Sequence, residues 1–325
     1  MSRNSTITCV GEAIIDFFAV HPAASLVDAP EFLRRPGGAA ANVCAGIAKL
    51  GGSAAFIGSV GNDPFGLFLS QKLASYGIDV SGLQLLKDLK TRLAFVSVGK
   101  DGSRSFEFWE KDPADTHLQY RGTILKKLKR SAIVHFSSFL LLKEPSRSRT
   151  LQAAHGVINA GGITCLDPNI RFSLWDSKNS AKTVLRKMIR SCHILRLNDE
   201  EAYFLSGARS LRPAADALHR LGPDVVVVTL GADGCFFSTP RGSGLVPPFK
   251  VKSVDTTGCG DAFLAGLLTG IAAAGRDLWE IDLPQWYEIC RISNAVGALT
   301  AGRQGAIDAI PTKKELEQFL KIRAC

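Results

Sequence analysis

The sequence has eight cysteines but no Cys-x-x-Cys pair among them. Closely paired cysteines are typical of zinc ribbons, and regularly spaced ones are typical of the disulfide frameworks of small secreted proteins. The spread of the cysteines therefore argues against both classes of protein. A reducing compartment, the cytoplasm, is the expected setting.

Long apolar runs are missing as well. A helix that spans a bilayer needs about 20 consecutive apolar residues, and no run here approaches that length. The first twenty residues carry Glu12 and Asp16 within their apolar stretch, which is unlike a signal peptide. No membrane association is expected.

Acidic residues are fewer than basic ones, 30 against 39, which leaves a net charge of +9. Part of the excess lies in two clusters, residues 126–130 and 147–149. Neither cluster is interleaved with aromatic residues that would stack on bases, so both are interpreted as solvated helix faces and no nucleic-acid partner is expected. A positive field also attracts polyanionic small molecules such as nucleotides.

Two common nucleotide-binding motifs are absent. No Gly-x-x-x-x-Gly-Lys-Ser/Thr occurs, which excludes a P-loop. The glycines of residues 231–234 follow an apolar segment but lack the spacing of the dinucleotide fingerprint.

The most informative feature that is present is a glycine pair directly before an apolar helix. Gly258 and Gly260 have no Cβ, so the backbone can turn tightly and bring its N–H groups close to a ligand. The unpaired N–H groups and the positive dipole end of the helix favour a phosphate there. Asp261 follows in the first turn. An aspartate at this position often serves only the helix dipole, but the glycines favour a base beside an anion hole, as phosphoryl transfer to a hydroxyl requires.

The rest of the chain repeats a unit of helix, glycine, apolar strand and polar turn. Strands are predicted at residues 6–15, 54–60, 163–166, 193–197 and 225–230. A helix of small residues is predicted at residues 43–50, ending at a glycine pair. Apolar strands that alternate with helices indicate an α/β fold, with a mainly parallel sheet between two helix layers. Ligands bind beyond the carboxyl ends of such strands.

One segment departs from this unit. Residues 91–98 and 103–109 alternate between apolar and polar and flank a turn at residues 100–102, so they predict an antiparallel hairpin. With short strands in residues 16–35 the hairpin would form a small second sheet. This sheet would serve as a lid, or alternatively as an edge that covers the main sheet.

Two separated motifs carry a resemblance to a known family. Gly-Gly-Ala-Ala-Ala-Asn at residues 37–42 and Asp-Thr-Thr-Gly-Cys-Gly-Asp at residues 255–261 resemble the sugar-binding and anion-hole motifs of the ribokinase/PfkB carbohydrate kinases. The resemblance extends from Gly11 to Pro311. It implies one ribokinase-like kinase domain over residues 1–325, a three-layer α/β/α fold with a small β-sheet lid. The lid segments would be about residues 13–35 and 91–112.

The resemblance also implies roles for the residues on the sugar side. The sugar would be held by Asp16, Gly37, Gly38, Asn42, Phe106 and Arg171. Asp261 would take the proton from the attacking hydroxyl. The transferring phosphoryl would be stabilised by the backbone N–H groups of Gly258, Cys259 and Gly260. Cys259 departs from the family, which usually has alanine there.

The nucleotide and metal sites are implied in the same way. ATP would be bound by Asn198, Glu201, Thr229, Gly231, Gly234 and Asn294. Glu201 would position Mg²⁺ through water. Asp255, Thr257 and Gly305 resemble the family's site for a monovalent cation, potassium, although residues 301–305 depart from its pattern and Asp255 also suits an Asx-turn.

Within the family, residues 106–115 and 167–171 resemble fructokinases most. The second element also occurs in 2-keto-3-deoxygluconate kinases, whose substrate is an acid. Arg171 would suit a carboxylate, so this element does not distinguish a sugar acid from a neutral ketose. From another class, a non-catalytic sugar-binding regulatory relative would keep the fold, but the presence of Asp261 favours an enzyme. The lid often supplies a dimer interface in this family, so a homodimer is expected.

Overall fold

The computed structural model describes residues 5–21, 25–98, 104–275 and 277–323, with backbone only at residues 98 and 104–106. Its strands are β1 (Ile7–Val10), β2 (Ile14–Ala19), β3 (Phe32–Gly37), β4 (Ala54–Gly61), β5 (Asp79–Leu86), β6 (Leu93–Val98), β7 (Arg104–Trp109), β8 (Ile133–Ser137), β9 (Ile163–Asp167), β10 (Ile194–Asn198), β11 (Val225–Thr229), β12 (Cys235–Thr239) and β13 (Gly242–Val246). Its helices are α1 (Ala39–Lys49), α2 (Pro64–Ser75), α3 (Thr123–Arg130), α4 (Ser146–Asn159), α5 (Lys178–Ile189), α6 (Asp199–Ser206), α7 (Leu211–His219), α8 (Cys259–Ala273), α9 (Leu283–Ala301) and α10 (Lys313–Arg323).

The main sheet has nine strands in the order β13-β12-β11-β10-β9-β8-β1-β4-β5. The strands from β11 to β5 in this order pair in parallel, and β12 and β13 add an antiparallel edge. The predicted α/β class with a mainly parallel central sheet is therefore confirmed.

The core lies on both faces of this sheet. In β11, Val225 and Val227 belong to one buried cluster, shared with α1, α8 and α9, while Val226 and Val228 belong to a second cluster, shared with helices α3 to α7. Successive side chains of a strand point to opposite faces, so a strand buried on both sides must be apolar throughout. This is the physical reason for the apolar runs in the sequence, and it produces the three layers.

The small sheet has four strands in the order β3-β2-β6-β7. Strands β6 and β7 form the predicted hairpin, and its predicted turn at residues 100–102 lies outside the described residues. Strand β2 pairs with β3 in an antiparallel and with β6 in a parallel arrangement. The predicted second sheet is thus present, and its use as a lid stays a prediction.

Two predicted boundaries were wrong. The strand expected at residues 6–15 is divided: β1 joins the main sheet and β2 the small one, with the break at Gly11 and Glu12. A side chain at residue 11 would collide with Ala40 and Ser137, because the chain passes closely between α1 and β8 there. The helix expected at residues 43–50 begins at Ala39 instead.

Helix α1 begins early because Gly38, with φ 98°, forms its N-cap. The glycine leaves the extended strand β3 and enters the helix in one step, a backbone conformation that other residues rarely adopt. The glycine-rich motif therefore connects strand β3 of the small sheet directly to helix α1. Within the described ranges, no helix has both the length and the apolar character that crossing a membrane requires.

Candidate active site

The two motifs of the sequence meet through the packing of α1 against α8. The helices approach closely: a Cβ at Gly46 of α1 would lie 2.6 Å from the Cβ of Ala265 in α8. At the N-terminal ends of these helices, Asn42 Nδ2 donates a 2.7 Å hydrogen bond to Asp261 Oδ2. Two residues that are 219 positions apart in the sequence are thus joined side chain to side chain.

Asp261 is a buried carboxyl group with a shifted pKa. Its residue is 8% exposed, and burial raises the pKa of its carboxyl group to about 6. The hydrogen bond from Asn42 and the charges of Arg196 and Arg171 oppose this rise, because they stabilise the ionised form. A carboxyl group of this pKa is ionised near neutral pH and still accepts a proton readily.

Asp16, at the centre of β2, lies near Asp261 on the small-sheet side. A Cβ at Gly37 would overlap the carboxylate of Asp16, so only glycine is accommodated beside it. Burial raises the pKa of Asp16 to about 7, the negative charge of Asp261 adds to the rise, and Arg171 opposes it. Asp16, Asp261 and Arg171 therefore form one cluster, in which two carboxyl groups and a guanidinium group influence one another.

Glu12 is a buried residue of this cluster that the sequence reasoning missed. Its Oε2 accepts a 2.5 Å hydrogen bond from Ser137 Oγ, and its Oε1 accepts a 3.4 Å one from the N–H of Ala40. Burial raises its pKa to about 7. The signal available in the sequence was a single carboxylate within an apolar stretch. In the structure, its hydrogen bonds connect the segment between β1 and β2 to the end of β8 and to the start of α1.

The glycines of the second motif have separate structural reasons. Gly258 has φ 74° and forms the N-cap of α8, without a side chain that caps the helix. Gly260 lies against the guanidinium group of Arg196: a Cβ there would be 2.8 Å from both of its Nη atoms. The guanidinium group of Arg196 therefore lies directly beside the first turn of α8.

Arg196 is the second residue that the sequence reasoning missed. It lies in β10 among apolar residues, is 8% exposed, and donates 2.7 Å hydrogen bonds to Asp167 Oδ2 and to Thr229 Oγ1. Its Nε is buried and has no hydrogen-bond partner within the described ranges. Burying a charged side chain costs free energy unless the charge is paired. A single basic residue within an otherwise apolar strand was therefore the signal in the sequence.

A cavity of about 660 Å³ extends from this point along the main sheet. It is lined by most of the predicted nucleotide residues, by the anion-hole motif and by basic and apolar side chains: Asn198, Thr229, Gly231, Gly234, Asn294, Cys259, Gly260, Arg196, Phe249 and Lys250 among others. Gly231 and Gly234 have φ of 59° and 90°, and a Cβ at Gly234 would overlap the carbonyl of Val246. The polar turn between β11 and β12 thus forms one wall of the cavity.

Glu201 has a different position from the other predicted nucleotide residues. It forms a capping box with Asn198 at the start of α6, and its Oε1 accepts a 2.7 Å hydrogen bond from the N–H of Ile170. Burial and the charge of Asp167 raise its pKa. Its neighbours Asp199 and Glu200 line the cavity and Glu201 does not, so its carboxylate joins the loop after β9 to α6.

The residues predicted for a monovalent cation are also brought together. Asp255 Oδ1 accepts hydrogen bonds from the N–H and the hydroxyl of Thr257, at 2.9 and 2.7 Å. Its Oδ2 accepts one from the N–H of Gly305 at 3.0 Å. The Asx-turn predicted as an alternative is thus formed, and it holds the loop around Gly305. Phe106 pairs with Val96 through its backbone, but its side chain lies outside the described residues.

Comparison with known proteins identifies the family of this fold and cavity. Residues 4–313 match the pfkB family carbohydrate kinases. The chain belongs to this family. As a pfkB family carbohydrate kinase, it is an enzyme that transfers phosphate to an alcohol group, and the predicted family resemblance is confirmed.

The proteins that are similar to this kinase include fructokinases. It is 38% identical over 320 residues to a probable fructokinase-4 of Arabidopsis thaliana, with 98% of each chain covered. A fructokinase of Xylella fastidiosa with bound ATP is 31% identical, with a TM-score of 0.87 and 99% of each chain covered. A double mutant of the fructokinase of Vibrio cholerae O395, bound to fructose, ADP and a potassium ion, is 32% identical, with a TM-score of 0.86 and 98% and 100% of the two chains covered.

The contact between Gly260 and Arg196 generates a prediction. In Gly260→Ala the methyl group must displace the guanidinium group, and we expect kcat to fall by about 10²-fold, the cost typical of losing one donor beside an anion hole. Arg196→Met should cost at least as much, and the double variant should be no worse than Arg196→Met alone. Steady-state kinetics would measure this. Gly156→Ala in α4, where nothing lies within 4 Å, is the matched control, and additive losses would contradict the explanation.

Proposed function

We propose that this kinase is an ATP-dependent fructokinase, which converts D-fructose and ATP to D-fructose 6-phosphate and ADP. The observation that carries the proposal is the hydrogen bond between Asn42 and Asp261, because it joins the sugar motif to the helix that borders the nucleotide cavity. The similarity of the chain to fructokinases, at 36–38% identity over 97–98% of its length, supports fructose as the sugar.

In the proposed reaction, the 6-hydroxyl oxygen of fructose attacks the terminal phosphorus of ATP. The O–H proton passes to the carboxylate of Asp261, the new O–P bond forms, and the bond to the β-phosphate oxygen breaks so that ADP leaves with its electron pair. Asn42 holds one oxygen of Asp261, which leaves the other for the hydroxyl. Asp16, Gly37, Gly38 and Arg171 would hold the remaining sugar hydroxyls.

Two kinds of group would stabilise the negative charge on the phosphoryl group during its transfer. The N–H groups of Gly258, Cys259 and Gly260 are the first ones of α8, where the helix dipole favours an anion. Arg196 would add a full positive charge directly beside Gly260, held in place by Asp167 and Thr229. Groups that are fixed before the reaction stabilise the developing charge without reorganising during it.

The cavity suits ATP and the ions that the family uses. Its volume lies within the usual range of about 300 to 1,000 Å³ for cofactor sites, and Thr229, Gly231, Gly234 and Asn294 line it. Asp199 and Glu200 supply the oxygen ligands that Mg²⁺ and its waters prefer, with Asn198 and Glu201 shaping the turn beneath them. When bound, Mg²⁺ neutralises phosphate charge. Asp255, Thr257 and Gly305 would hold a monovalent cation such as K⁺ near the anion hole.

The two alternatives have less support. A 2-keto-3-deoxygluconate kinase would use Arg171 for the carboxylate of its substrate, but the relatives reported above are fructokinases. A non-catalytic regulatory relative would not need the buried carboxyl group of Asp261 with its raised pKa.

A coupled assay of ADP release tests the substrate. The kinase would be offered fructose, other ketoses, aldoses and 2-keto-3-deoxygluconate, and we expect the highest kcat/KM with fructose. The highest value with the sugar acid would favour the first alternative. No turnover with any sugar would favour the regulatory relative.

Asp261 generates the second prediction of this proposal. Asp261→Asn should lower kcat by about 10²- to 10⁴-fold, the usual contribution of a general base, while ATP binding is retained. Because the carboxyl group must be ionised to accept the proton, kcat/KM of the unaltered kinase should fall with decreasing pH, with a midpoint between about 6 and about 7, the raised pKa values of Asp261 and Asp16. Asp216→Asn, on the exposed face of α7, is the control. A flat profile from pH 8 to 5 would contradict the role.

We further propose that two copies of the kinase associate through the small sheet. Phe17, Phe32, Phe95 and Trp109 form a row of ring contacts across its four strands, and Trp109 is 58% exposed at the end of the row. Light scattering after size exclusion should show a dimer that Trp109→Glu dissociates. Trp279→Glu, at a tryptophan that is 49% exposed outside this sheet, should leave it intact. A monomeric unaltered protein would refute the proposal.

A further inference from the structure

A second cavity lies between α3 and α4, on the face of the sheet opposite to α1 and α8. It has a volume of about 400 Å³ and is lined by Gln119, Tyr120, Arg121, Leu125, Lys129, Arg149, Gln152, Ala153 and Gly156. We call it the basic cavity. Of the described residues that line it, three are cations, two are amides, one is a phenol and none is a carboxylate. None of these residues belongs to the proposed catalytic or nucleotide site.

The basic cavity lies beside two helices that are rich in positive charge. Helix α3 has four basic residues and α4 has two, and neither helix has an acidic residue. Lys127 is paired with Asp79, and Arg147 donates hydrogen bonds to the carbonyls of Leu141 and Leu142. These two cations therefore stabilise the fold.

The three cations that line the basic cavity have no such partner. In the described part of the chain, Arg121, Lys129 and Arg149 form no ion pair. Three like charges around one concavity repel each other, and an anion placed between them would remove this repulsion. Arginine forks bind phosphate oxygens in pairs, and lysine adds a point charge, so the cation set suits a phosphate group.

The other lining residues indicate what the phosphate would be attached to. Gln119 and Gln152 offer amide donors and acceptors, which suit hydroxyl groups. Among the described residues that line the cavity, only Tyr120 has an aromatic ring, and its hydroxyl is hydrogen-bonded to Thr150 Oγ1 at 2.9 Å. A nucleotide base or a single-stranded nucleic acid would need rings to stack on. The size of the cavity suits a ligand smaller than ATP.

We propose that the basic cavity is a second ligand site, which binds a small sugar phosphate. Arg121, Lys129 and Arg149 take the phosphate, and the two glutamines take sugar hydroxyls. The site is separate from catalysis, because α3 and α4 pack on the face of the sheet opposite to α1 and α8. The proposal does not depend on which sugar the active site phosphorylates.

Calorimetric titration with fructose 6-phosphate at low ionic strength tests the proposal on the full chain. The unaltered kinase should bind one equivalent in the basic cavity, besides any equivalent that the active site binds as product. Arg121→Gln with Arg149→Gln should weaken the binding in the basic cavity by at least about tenfold, the usual cost of a charge-assisted hydrogen bond. Arg209→Gln with Arg212→Gln, at two exposed arginines near α7, removes the same charge and should change nothing.

The possible results separate the site from the function. The double variant should bind one equivalent of fructose 6-phosphate less than the unaltered kinase and keep its kcat/KM. If the active site does not bind fructose 6-phosphate, the double variant should bind none. Equal binding in all three proteins would overturn the proposal. If inorganic phosphate binds as tightly as the sugar phosphate, the sugar part of the proposal is overturned. If the double variant loses binding to a short RNA but keeps its binding of the sugar phosphate, the basic residues form a polyanion surface instead. Should the double variant misfold, Lys129→Gln gives the same comparison.

Discussion

The hydrogen bond from Asn42 to Asp261 is the contact on which the active site depends. It exists because α1 and α8 pack so closely that small residues must face each other, as at Gly46 and Ala265. The same packing brings the start of both helices to the carboxyl edge of the sheet, where the strands end in polar turns. The two sequence motifs, Asp261 and the large cavity therefore meet at one place.

Charge balance within this region sets its chemistry. Glu12, Asp16 and Asp261 are carboxyl groups whose pKa values burial raises to between about 6 and about 7. Arg171 and Arg196 oppose the rise at Asp261. Asp261 and Arg196 are both 8% exposed, so removing the charge of one would leave the other less compensated at a buried position, which costs more than the loss of a surface ion pair. Asp261 and the arginines around it are thus electrostatically coupled.

Several features of this region were predictable from local sequence. The glycines before Asp261 indicated an anion hole, and the structure adds that Gly258 needs a positive φ and that Gly260 leaves space for Arg196. The roles of Glu12 and Arg196 were not predicted, because a single charge in an apolar strand does not reveal its partner. Similarly, the basic residues of α3 and α4 suggested only solvated faces, since the sequence does not show that three of them surround a cavity.

The α/β class, most of the strands and the two motifs follow from the amino-acid sequence alone, because periodicity, glycine and apolar runs act over neighbouring residues. The division of the first strand, the side chains that meet Asp261 and the contact of Glu201 with the loop after β9 are visible only in the folded chain. These outcomes depend on contacts between residues that are distant in the chain. Packing and burial select such contacts, and no local pattern records them.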